Sequence, residues 1–365
     1  MRFEEHLLDD TITSVYGLEV VDLDGDGVKD VVIGSQGESV IAWYRAPGFE
    51  RRILSREHKG TVGIIGRDLT GSGLPDLIAI GGFGRQNRDT IEYLHWLENN
   101  GTGADFPSHF IEQIPYLHRI ALLQPREGIP PVLLAASIRG PVGGYDDFGD
   151  PGCLWCYRIP EDPYREKWEK RLVDPGLHLN HGLFVGDFNR DGREDVLIGC
   201  RDGIISLIPP EDPFEGEWRR TVVIEREASD VFVADVDGDG VEEILSVEPW
   251  HGNELALYRC QGGEWKRRLL DDELHRGHAV HGVDVDGDGS LEIMVGCNGG
   301  GGGITLYRRA ADEWLKEVVD RGGLGVGQMR IVDLDGDGRL DIVAGGLSTG
   351  NLKWYRNVPD SPEAP

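Results

Sequence analysis

The sequence has little of what marks a disulfide-stabilised protein. Its 365 residues include five cysteines, and so small and odd a number disfavours a disulfide framework. Cys153 and Cys156 form a C-x-x-C pair inside a strand-like run. No second pair and no nearby histidine completes a zinc set around them, so this pair does not predict a zinc site.

Membrane-spanning and targeting segments are also missing. No apolar run approaches the about 20 residues that cross a bilayer. Residues 1–10, MRFEEHLLDD, have neither a basic start nor an apolar stretch, and they do not resemble a secretory leader. These features predict a soluble, cytoplasmic protein, or a secreted one if a leader has been removed.

Positive charge is scarce, because 37 Lys and Arg residues stand against 65 Asp and Glu residues. The resulting net charge of −28 argues against nucleic acid and anionic membranes as partners. Signals for helices are nearly absent, which favours a fold built from strands. The sequence does not indicate an oligomeric state.

What the sequence does contain is a repeat. In VVDLDGDGVKDVVIG (Val20–Gly34) two apolar runs flank an Asp-rich loop. The first aspartate of each copy lies at Asp22, Asp68, Asp187, Asp235, Asp284 and Asp333. The long gap after Asp68 contains a degenerate copy, HRIALLQPREGIPPVLLAAS, with Gln124 in place of the aspartate. The chain therefore has seven units.

Each unit reads as four strands. Two strands flank the Asp loop, a third ends in an aromatic–Arg pair as in IAWYR, and a fourth follows as in WEKRLV. Four antiparallel strands repeated seven times predict an all-β, seven-bladed β-propeller forming one domain over residues 1–365. The N-terminal RFEEHLL resembles a fourth strand without a unit of its own. We expect it to pair with the last blade and close the ring.

The Asp loops place oxygen ligands at positions 1, 3, 5 and 9 of a Gly-containing turn, a pattern that suits Ca²⁺. The five sets are Asp22, Asp24, Asp26, Asp30; Asp187, Asn189, Asp191, Asp195; Asp235, Asp237, Asp239, Glu243; Asp284, Asp286, Asp288, Glu292; and Asp333, Asp335, Asp337, Asp341. The second unit keeps only Asp68 and Asp76, and no metal is expected there. An EF-hand is excluded because a strand follows each loop. The alternative is that the Asp-Gly pairs only make tight turns; in either case the loops are structural.

Histidines recur at one register position. Six residues before each mark lie Tyr16, Val62, His118, His181, Ser229, His278 and Gly327, where chance would place fewer than one of the 11 histidines. In a propeller this position surrounds the central axis, at the face opposite the Asp loops. The histidines could be hydrogen-bonded residues that line the channel, or groups that exchange protons near neutral pH. They could also form a three-histidine site for a divalent metal such as Zn²⁺.

The loops between the second and third strands open on the same face and differ strongly in length. They carry Arg85, Gln86, Asn87, Arg88, Arg139, Tyr145, Arg201, Trp250, His251 and Asn298. Guanidinium groups bind carboxylates in pairs of hydrogen bonds, and aromatic rings pack against pyranose rings. The composition of this mouth indicates a site for an anionic sugar.

The D-x-D-G-D-G-x-x-[DE]-[IVL] units, which cover essentially the whole chain, resemble the FG-GAP or VCBS repeats of integrin-type and bacterial carbohydrate-active propellers. Among such proteins the chain resembles ulvan lyases, rhamnose-glucuronate lyases, α-L-rhamnosidases and the propeller of aldos-2-ulose dehydratase. The resemblance implies a site of His, Tyr and Arg at the central mouth. It is specific for the fold and weak for the function.

The leading hypothesis is a carbohydrate lyase that acts by β-elimination on a uronate. Arg139 or Arg201 would neutralise the carboxylate and stabilise the enolate. His181 or His118 would remove the proton, and Tyr145 or the other histidine would protonate the leaving oxygen. The residues expected to contact or position the substrate are Arg201, His278, His251, Trp250, Tyr16, Arg85, Arg88 and Asn298.

Two alternatives remain open at this point. A glycoside hydrolase resembling the α-L-rhamnosidases would use the same face and give a saturated product. A non-catalytic lectin or adhesion propeller would bind sugar without turnover. Lectins of this kind usually repeat one site in every blade, whereas the loops here differ from blade to blade, which favours a single site and an enzyme.

Overall fold

Every repeat folds into a four-stranded antiparallel sheet, and the seven sheets are the blades of a β-propeller. The computed structural model describes residues 2–84, 92–126, 128–142, 149–311 and 313–359. Within these ranges there are 28 strands and no helix. None of these residues therefore forms a helix able to cross a membrane. The predicted all-β, seven-bladed fold is confirmed, and the degenerate unit around Gln124 forms a complete blade.

The strands follow the same order in each blade. The innermost strands are β2 (Val15–Val21), β6 (Ile64–Arg67), β10 (Leu117–Leu123), β14 (Gly182–Gly186), β18 (Val231–Ala234), β22 (Gly277–Val283) and β26 (Val326–Val332). The second strands are β3 (Asp30–Ser35), β7 (Asp76–Gly81), β11 (Val132–Ser137), β15 (Asp195–Cys200), β19 (Glu243–Glu248), β23 (Glu292–Cys297) and β27 (Asp341–Gly346).

The outer half of each blade completes the set. The third strands are β4 (Ile41–Arg45), β8 (Tyr93–Leu97), β12 (Gly152–Arg158), β16 (Gly203–Ile208), β20 (Glu254–Gln261), β24 (Gly303–Ala310) and β28 (Leu352–Val358). The outermost strands are β5 (Glu50–Ser55), β9 (Ser108–Gln113), β13 (Glu169–Leu177), β17 (Arg219–Ile224), β21 (Glu264–Asp271), β25 (Glu313–Asp320) and, in blade 7, β1 (Arg2–Asp9).

The core lies between blades. Every residue of all seven second strands is buried, because each strand has neighbours on both sides and a blade against each face. Gly34, near the end of β3, shows how closely two blades approach, since a Cβ atom there would lie 2.3 Å from the Thr61 side chain. This contact explains the Gly that ends most of the repeated runs.

The tyrosine of the aromatic–Arg ending joins neighbouring blades. Tyr355 on β28 donates to Asp320 at the end of β25 in blade 6, over 2.6 Å. Tyr307 on β24 donates to Asp271 at the end of β21 in blade 5, over 2.5 Å. The same bond recurs from Tyr44 to Asp9 and from Tyr157 to Glu112. In these four blades the recurring tyrosine is a hydrogen-bond donor across a blade boundary, whereas Tyr258 donates to Glu248 of its own blade.

The arginine of the same ending turns to the Asp loop of its own blade. Arg45 pairs with Asp24 and Asp26. Arg356 pairs with Asp335 and Asp337 in the same way, and Arg259 and Arg308 also contact their loops. The loops therefore carry a counter-charge of their own, which relieves part of the repulsion among their carboxylates.

The N-terminal strand closes the ring as expected. β1 pairs with β28 in antiparallel register, from Arg2 opposite Val358 to Asp9 opposite Leu352. Asp9 then accepts hydrogen bonds from Tyr44, at 2.7 Å, and from Arg51, at 2.9 Å, both in blade 1. One strand thus completes blade 7 and fastens it to blade 1.

Candidate functional site

The innermost strands begin with a β-bulge in several blades. Strand register shifts at the same place in β2, β10, β22 and β26. The extra residues are Tyr16, His118, His278 and Gly327, the positions that the repeat alignment singled out. A bulge re-aims a side chain out of the regular alternation of a strand, and here Tyr16, His118 and His278 point into one cavity at the axis.

The cavity lies at the mouth of the central channel, and the empty space among its lining residues, open solvent included, is about 610 Å³. Seven of the predicted site residues line it: Tyr16, His118, Arg139, His181, Trp250, His251 and His278. The three axial histidines are 1–3% exposed, so they form the floor of the cavity rather than its rim.

The other predicted site residues fall elsewhere. Arg201 is exposed on the turn after β15, and Asn298 is 6% exposed; neither lines the cavity. Tyr145, Arg85 and Arg88 lie outside the described residues.

Tyr16 is at the centre of the floor. Its hydroxyl lies 2.9 Å from His118 Nε2 and 3.3 Å from His278 Nε2. Arg119 Nη1 donates to the same oxygen over 3.2 Å. One hydroxyl proton can be donated to only one imidazole, so Tyr16 accepts from the other while Arg119 stabilises negative charge on its oxygen.

His181 and His251 are in direct contact, with their Nε2 atoms 3.1 Å apart. Arg276 donates to His251 Nδ1 over 3.0 Å, and a guanidinium cannot accept. Neutral His251 therefore carries its proton on Nε2 and donates it to His181. His181 in turn carries its proton on Nδ1, which faces Ser229 Oγ at 3.3 Å.

Burial sets the charge of these imidazoles. The pKa of His181 is lowered well below its ordinary value, first by burial and then by Arg119 and the neighbouring histidines. Burial, His251 and Arg119 also lower the pKa of His278 well below its usual range. Both rings are consequently neutral near pH 7, and each has one ring nitrogen that carries no proton.

One wall of the cavity carries a cation and an acid. The guanidinium of Arg139 stacks over the Tyr116 ring, 3.9 Å from its centroid. Glu92 Oε2 accepts the Tyr116 backbone N–H over 2.8 Å. Burial raises the pKa of Glu92, and Arg139 partly opposes that rise. Tyr116 and Glu92 lie on loops outside the repeat pattern, and no sequence signal pointed to them.

Arg119 was also missed, although the repeat holds a signal for it. The position after the axial histidine reads Gly17, Gly63, Arg119, Gly182, Asp230, Ala279 and Gln328. Arg119, Asp230 and Gln328 are polar and the other four residues are small. This pattern indicates that the position lines the channel below its mouth. Burial raises the pKa of Asp230 to about 6, and Arg119 opposes the shift. Arg119 and Asp230 therefore form a charged layer beneath the histidines.

The first carboxylate of each Asp loop shapes the turn. Asp22 accepts the backbone N–H groups of Gly25, Asp26 and Gly27, so the first carboxylate already shapes the turn. Asp68 does the same in the second blade, where the acidic set is reduced. Three carboxylates come within 4.8 Å of one another in the loops that begin at Asp22, Asp235, Asp284 and Asp333.

The described residues define a seven-bladed β-propeller with a cavity on its axis. The family model of the FG-GAP-like repeat matches residues 22–79 and 284–344. These two segments thus match FG-GAP-like repeats, as the Asp-rich loops predicted. No curated protein matches the chain.

Solved structures share the architecture at low identity. A lectin from Agrocybe aegerita that recognises non-reducing terminal N-acetylglucosamine is 14% identical, with a TM-score of 0.52 over 85% of this chain and 81% of the lectin. BBS1N, solved in complex with ARL6DN, is 12% identical, with a TM-score of 0.61 over 99% of both chains. At these identities the likeness shows the fold alone.

Proposed function

We propose that the axial cavity is the active site of a carbohydrate lyase that cleaves a uronate-containing sugar by β-elimination. The observation that carries the proposal is the pairing of Tyr16 and His118, 2.9 Å apart on the cavity floor. The pair can work as a base and an acid on one face of a bound sugar. Arg139 on the wall supplies a cation for the uronate carboxylate.

In the proposed step, His118 removes the proton from the carbon next to the carboxylate. The electron pair forms an enolate, whose charge Arg139 stabilises. The bond to the leaving oxygen then breaks, and that oxygen takes the proton of Tyr16. The proton on His118 finally returns to Tyr16 across their hydrogen bond. Arg119, which donates to the Tyr16 oxygen, stabilises the phenolate until then.

The cavity suits elimination better than hydrolysis by paired carboxylates. Most glycoside hydrolases use two carboxyl groups that flank the bond. Glu92 is the single carboxylate among the described residues of the cavity lining, and it is engaged by the Tyr116 backbone. The imidazole, phenol and guanidinium groups of the cavity are instead suited to proton transfer at a carbon next to a carboxylate.

A sugar is taken as the ligand class for two reasons. Trp250 stacks with His251 at the cavity wall, ring centroids 4.5 Å apart, and offers an aromatic surface for a pyranose ring. The lectin described above uses the same fold to recognise a sugar. The site here lies on the axis and is lined by residues of several blades, which distinguishes it from a binding pocket repeated in each blade.

The test is a set of uronate-containing glycans, with the ultraviolet absorbance of the unsaturated product followed over time. We expect product with the wild-type protein and a fall of about 10²- to 10⁴-fold in rate for His118→Ala and for Tyr16→Phe. His6→Ala is the matched control, because His6 is an exposed histidine on β1.

The other outcomes assign the protein differently. Reducing sugar released without the unsaturated product would make it a hydrolase. Sugar binding in calorimetry without either product would make it a lectin. Full turnover by both His118→Ala and Tyr16→Phe would refute the proposed acid–base pair even if elimination occurs.

Calcium in the Asp loops is a structural part of the same proposal. In four loops three carboxylates approach one another, from positions 1, 3 and 5 or positions 1, 3 and 9. These carboxylates would hold the ion, because Ca²⁺ binds such oxygen sets. The ion would neutralise the charge of the loop carboxylates, which Arg45 and the equivalent arginines of other blades now neutralise alone. No chemical step is assigned to these loops, which lie at the face opposite the cavity.

Chelation tests that proposal. With Ca²⁺ at about 100 times its Kd, each occupied loop adds about 2.7 kcal/mol to stability, so a chelator is expected to lower the unfolding temperature. Asp286→Asn should reduce the number of bound ions by one, while Thr70→Ala in the reduced loop of blade 2 should not. An unfolding temperature that ignores both Ca²⁺ and chelator would show that the loops are tight turns only.

A further inference from the structure

The three histidines His181, His251 and His278 come from blades 4, 5 and 6 and converge at one point of the cavity. We propose that they bind a divalent transition metal ion, with Zn²⁺ as the first candidate. This site is separate from the Asp loops in place and in chemistry. Its existence does not depend on the proposed lyase activity.

The donor atoms are already close. One ring nitrogen from each histidine lies within 4.8 Å of the other two, and the Nε2 atoms of His181 and His251 are 3.1 Å apart. Two nitrogens on one tetrahedral Zn²⁺, each about 2.05 Å from the ion, are about 3.3 Å apart. The His181–His251 separation is close to that value, and the His278 nitrogen lies within 4.8 Å of both.

The surroundings support nitrogen ligands. His181 and His278 are 1% and 2% exposed, so both rings are held in place by the residues packed around them. Ser229 Oγ lies 3.3 Å from His181 Nδ1, which can hold that ring with Nε2 toward the ion. Such outer hydrogen bonds orient metal-binding histidines.

His251 reaches the site from a loop held in an unusual conformation. Its φ is +47°, in the left-handed region that side chains other than glycine seldom adopt. Trp250 stacks on its ring with an interplanar angle of 27°. The loop is therefore shaped to bring this ring to the other two, and such local strain is found at functional sites.

Two guanidinium groups compete with the ion. Arg276 donates to His251 Nδ1. When Nε2 of His251 binds a metal, the proton of the neutral ring must be on Nδ1, which can then no longer accept from Arg276. The exposed Arg276 side chain therefore has to turn away. Arg119 Nη2 lies 3.4 Å from His181 Nε2 and repels a dication, although buried Asp230 balances part of its charge. We therefore expect that removal of Arg276 strengthens metal binding. A purely structural histidine cluster would not show this effect.

Three protein ligands leave a coordination position open toward the cavity. Sites with an open position are typical of catalytic zinc, whereas structural zinc usually has four protein ligands. If the proposed lyase activity holds, the open position would accept an oxygen of the substrate carboxylate. That role rests on the proposed function, while the binding of the ion does not.

The experiment uses the full chain, stripped with chelator and then saturated with Ca²⁺ to occupy the Asp loops. Zn²⁺ is titrated by calorimetry, and Co²⁺ is added to a parallel sample for its visible spectrum. We expect one Zn²⁺ per chain and the intense absorption of tetrahedral Co²⁺. No sugar is present, so the result is independent of the lyase test.

Variants decide whether the ion sits on the histidines. His278→Gln and His181→Ala should each weaken binding by more than the about 10- to 100-fold that loss of an outer partner costs. Arg276→Ala should tighten it, and His6→Ala should leave it unchanged. Circular dichroism of each variant checks that the propeller is intact.

Two results would overturn the inference. In the first, the wild-type protein binds no Zn²⁺ when its Asp loops are saturated with Ca²⁺. The other is unchanged Zn²⁺ uptake in a folded His181→Ala/His278→Gln double variant, which would place the ion elsewhere.

Discussion

A chain that lacks β1 (Arg2–Asp9) will unfold at a much lower temperature than the full chain. Its loss exposes the edge of β28 along the whole register from Arg2–Val358 to Asp9–Leu352. It also removes Asp9, the acceptor for Tyr44 and Arg51 of blade 1. We expect a loss of about 5 kcal/mol or more, out of the about 5–15 kcal/mol typical of folded domains.

Thermal unfolding followed by circular dichroism measures the effect, with gel filtration to detect association through the bared edge. A synthetic peptide of the β1 sequence should restore part of the lost stability by pairing with β28. Asp9→Asn in the full chain separates the two contributions, because it keeps the strand and weakens the contact with blade 1. Equal unfolding temperatures for full and shortened chains would contradict the ring-closing role.

The second large effect is expected from Asp320→Ala. Asp320 is 3% exposed and accepts from Tyr355 at 2.6 Å and from Lys353 at 3.1 Å. Its other oxygen accepts the backbone N–H groups of Gly322 and Leu324. The change leaves the buried Tyr355 hydroxyl without its acceptor, and the Lys353 ammonium keeps only its other carboxylate partner, Glu5, at 2.8 Å. Removing one partner of a buried ion pair costs about 3–5 kcal/mol.

The pH dependence of the free energy of unfolding tests the same interaction. Burial raises the pKa of Asp320, but the hydrogen bonds from Tyr355 and Lys353 outweigh it and the net pKa lies below the ordinary value. A carboxylate whose pKa is lowered by folding stabilises the fold above its unfolded pKa of about 3.9. That stability is lost as the pH falls through the folded pKa, so wild type and Asp320→Ala should converge in acid.

Chemical denaturation at pH 7 and at pH 3 checks both statements. Tyr355→Phe should cost only about 1 kcal/mol, the net contribution of one hydrogen bond. Glu313→Ala, at an exposed position on the same strand, should stay within about 0.5 kcal/mol of wild type. A loss below about 1 kcal/mol for Asp320→Ala would show that the blade boundary does not depend on this carboxylate.

The fold could be predicted from the sequence because its information is local and repeated. Alternating apolar runs around each Asp loop define two strands, and the same order recurs seven times. Even the copy with Gln124 in place of the aspartate kept its two apolar runs, which is why it could be recognised. The function of the aromatic–Arg ending could not be predicted, because Tyr355 and Asp320 meet across a blade boundary.

The candidate site was predictable only in part. Aligning the repeats brought Tyr16, His118 and His278 to one register position, and the cavity contains all three. Arg119 was passed over because successive residues of a regular strand point to opposite faces. The bulge between Leu117 and Arg119 breaks that alternation and turns both His118 and Arg119 to the axis.

His251 shows a second limit. Its presence on a loop at the mouth followed from the strand order, but its contact with His181 did not. That contact depends on a loop backbone with a φ of +47° at His251, which no periodic pattern encodes. An alignment of the repeats contains no information about loop conformation or about packing between distant blades.

The pairing of β1 with β28 has a mechanical consequence. Arg2 lies opposite Val358, so the two ends of the described chain emerge side by side, at the face away from the cavity. Tension applied to both ends would load one pair of residues at a time and open blade 7 like a zipper. An anchor or a fused partner at either end would, for the same reason, leave the mouth of the cavity unobstructed.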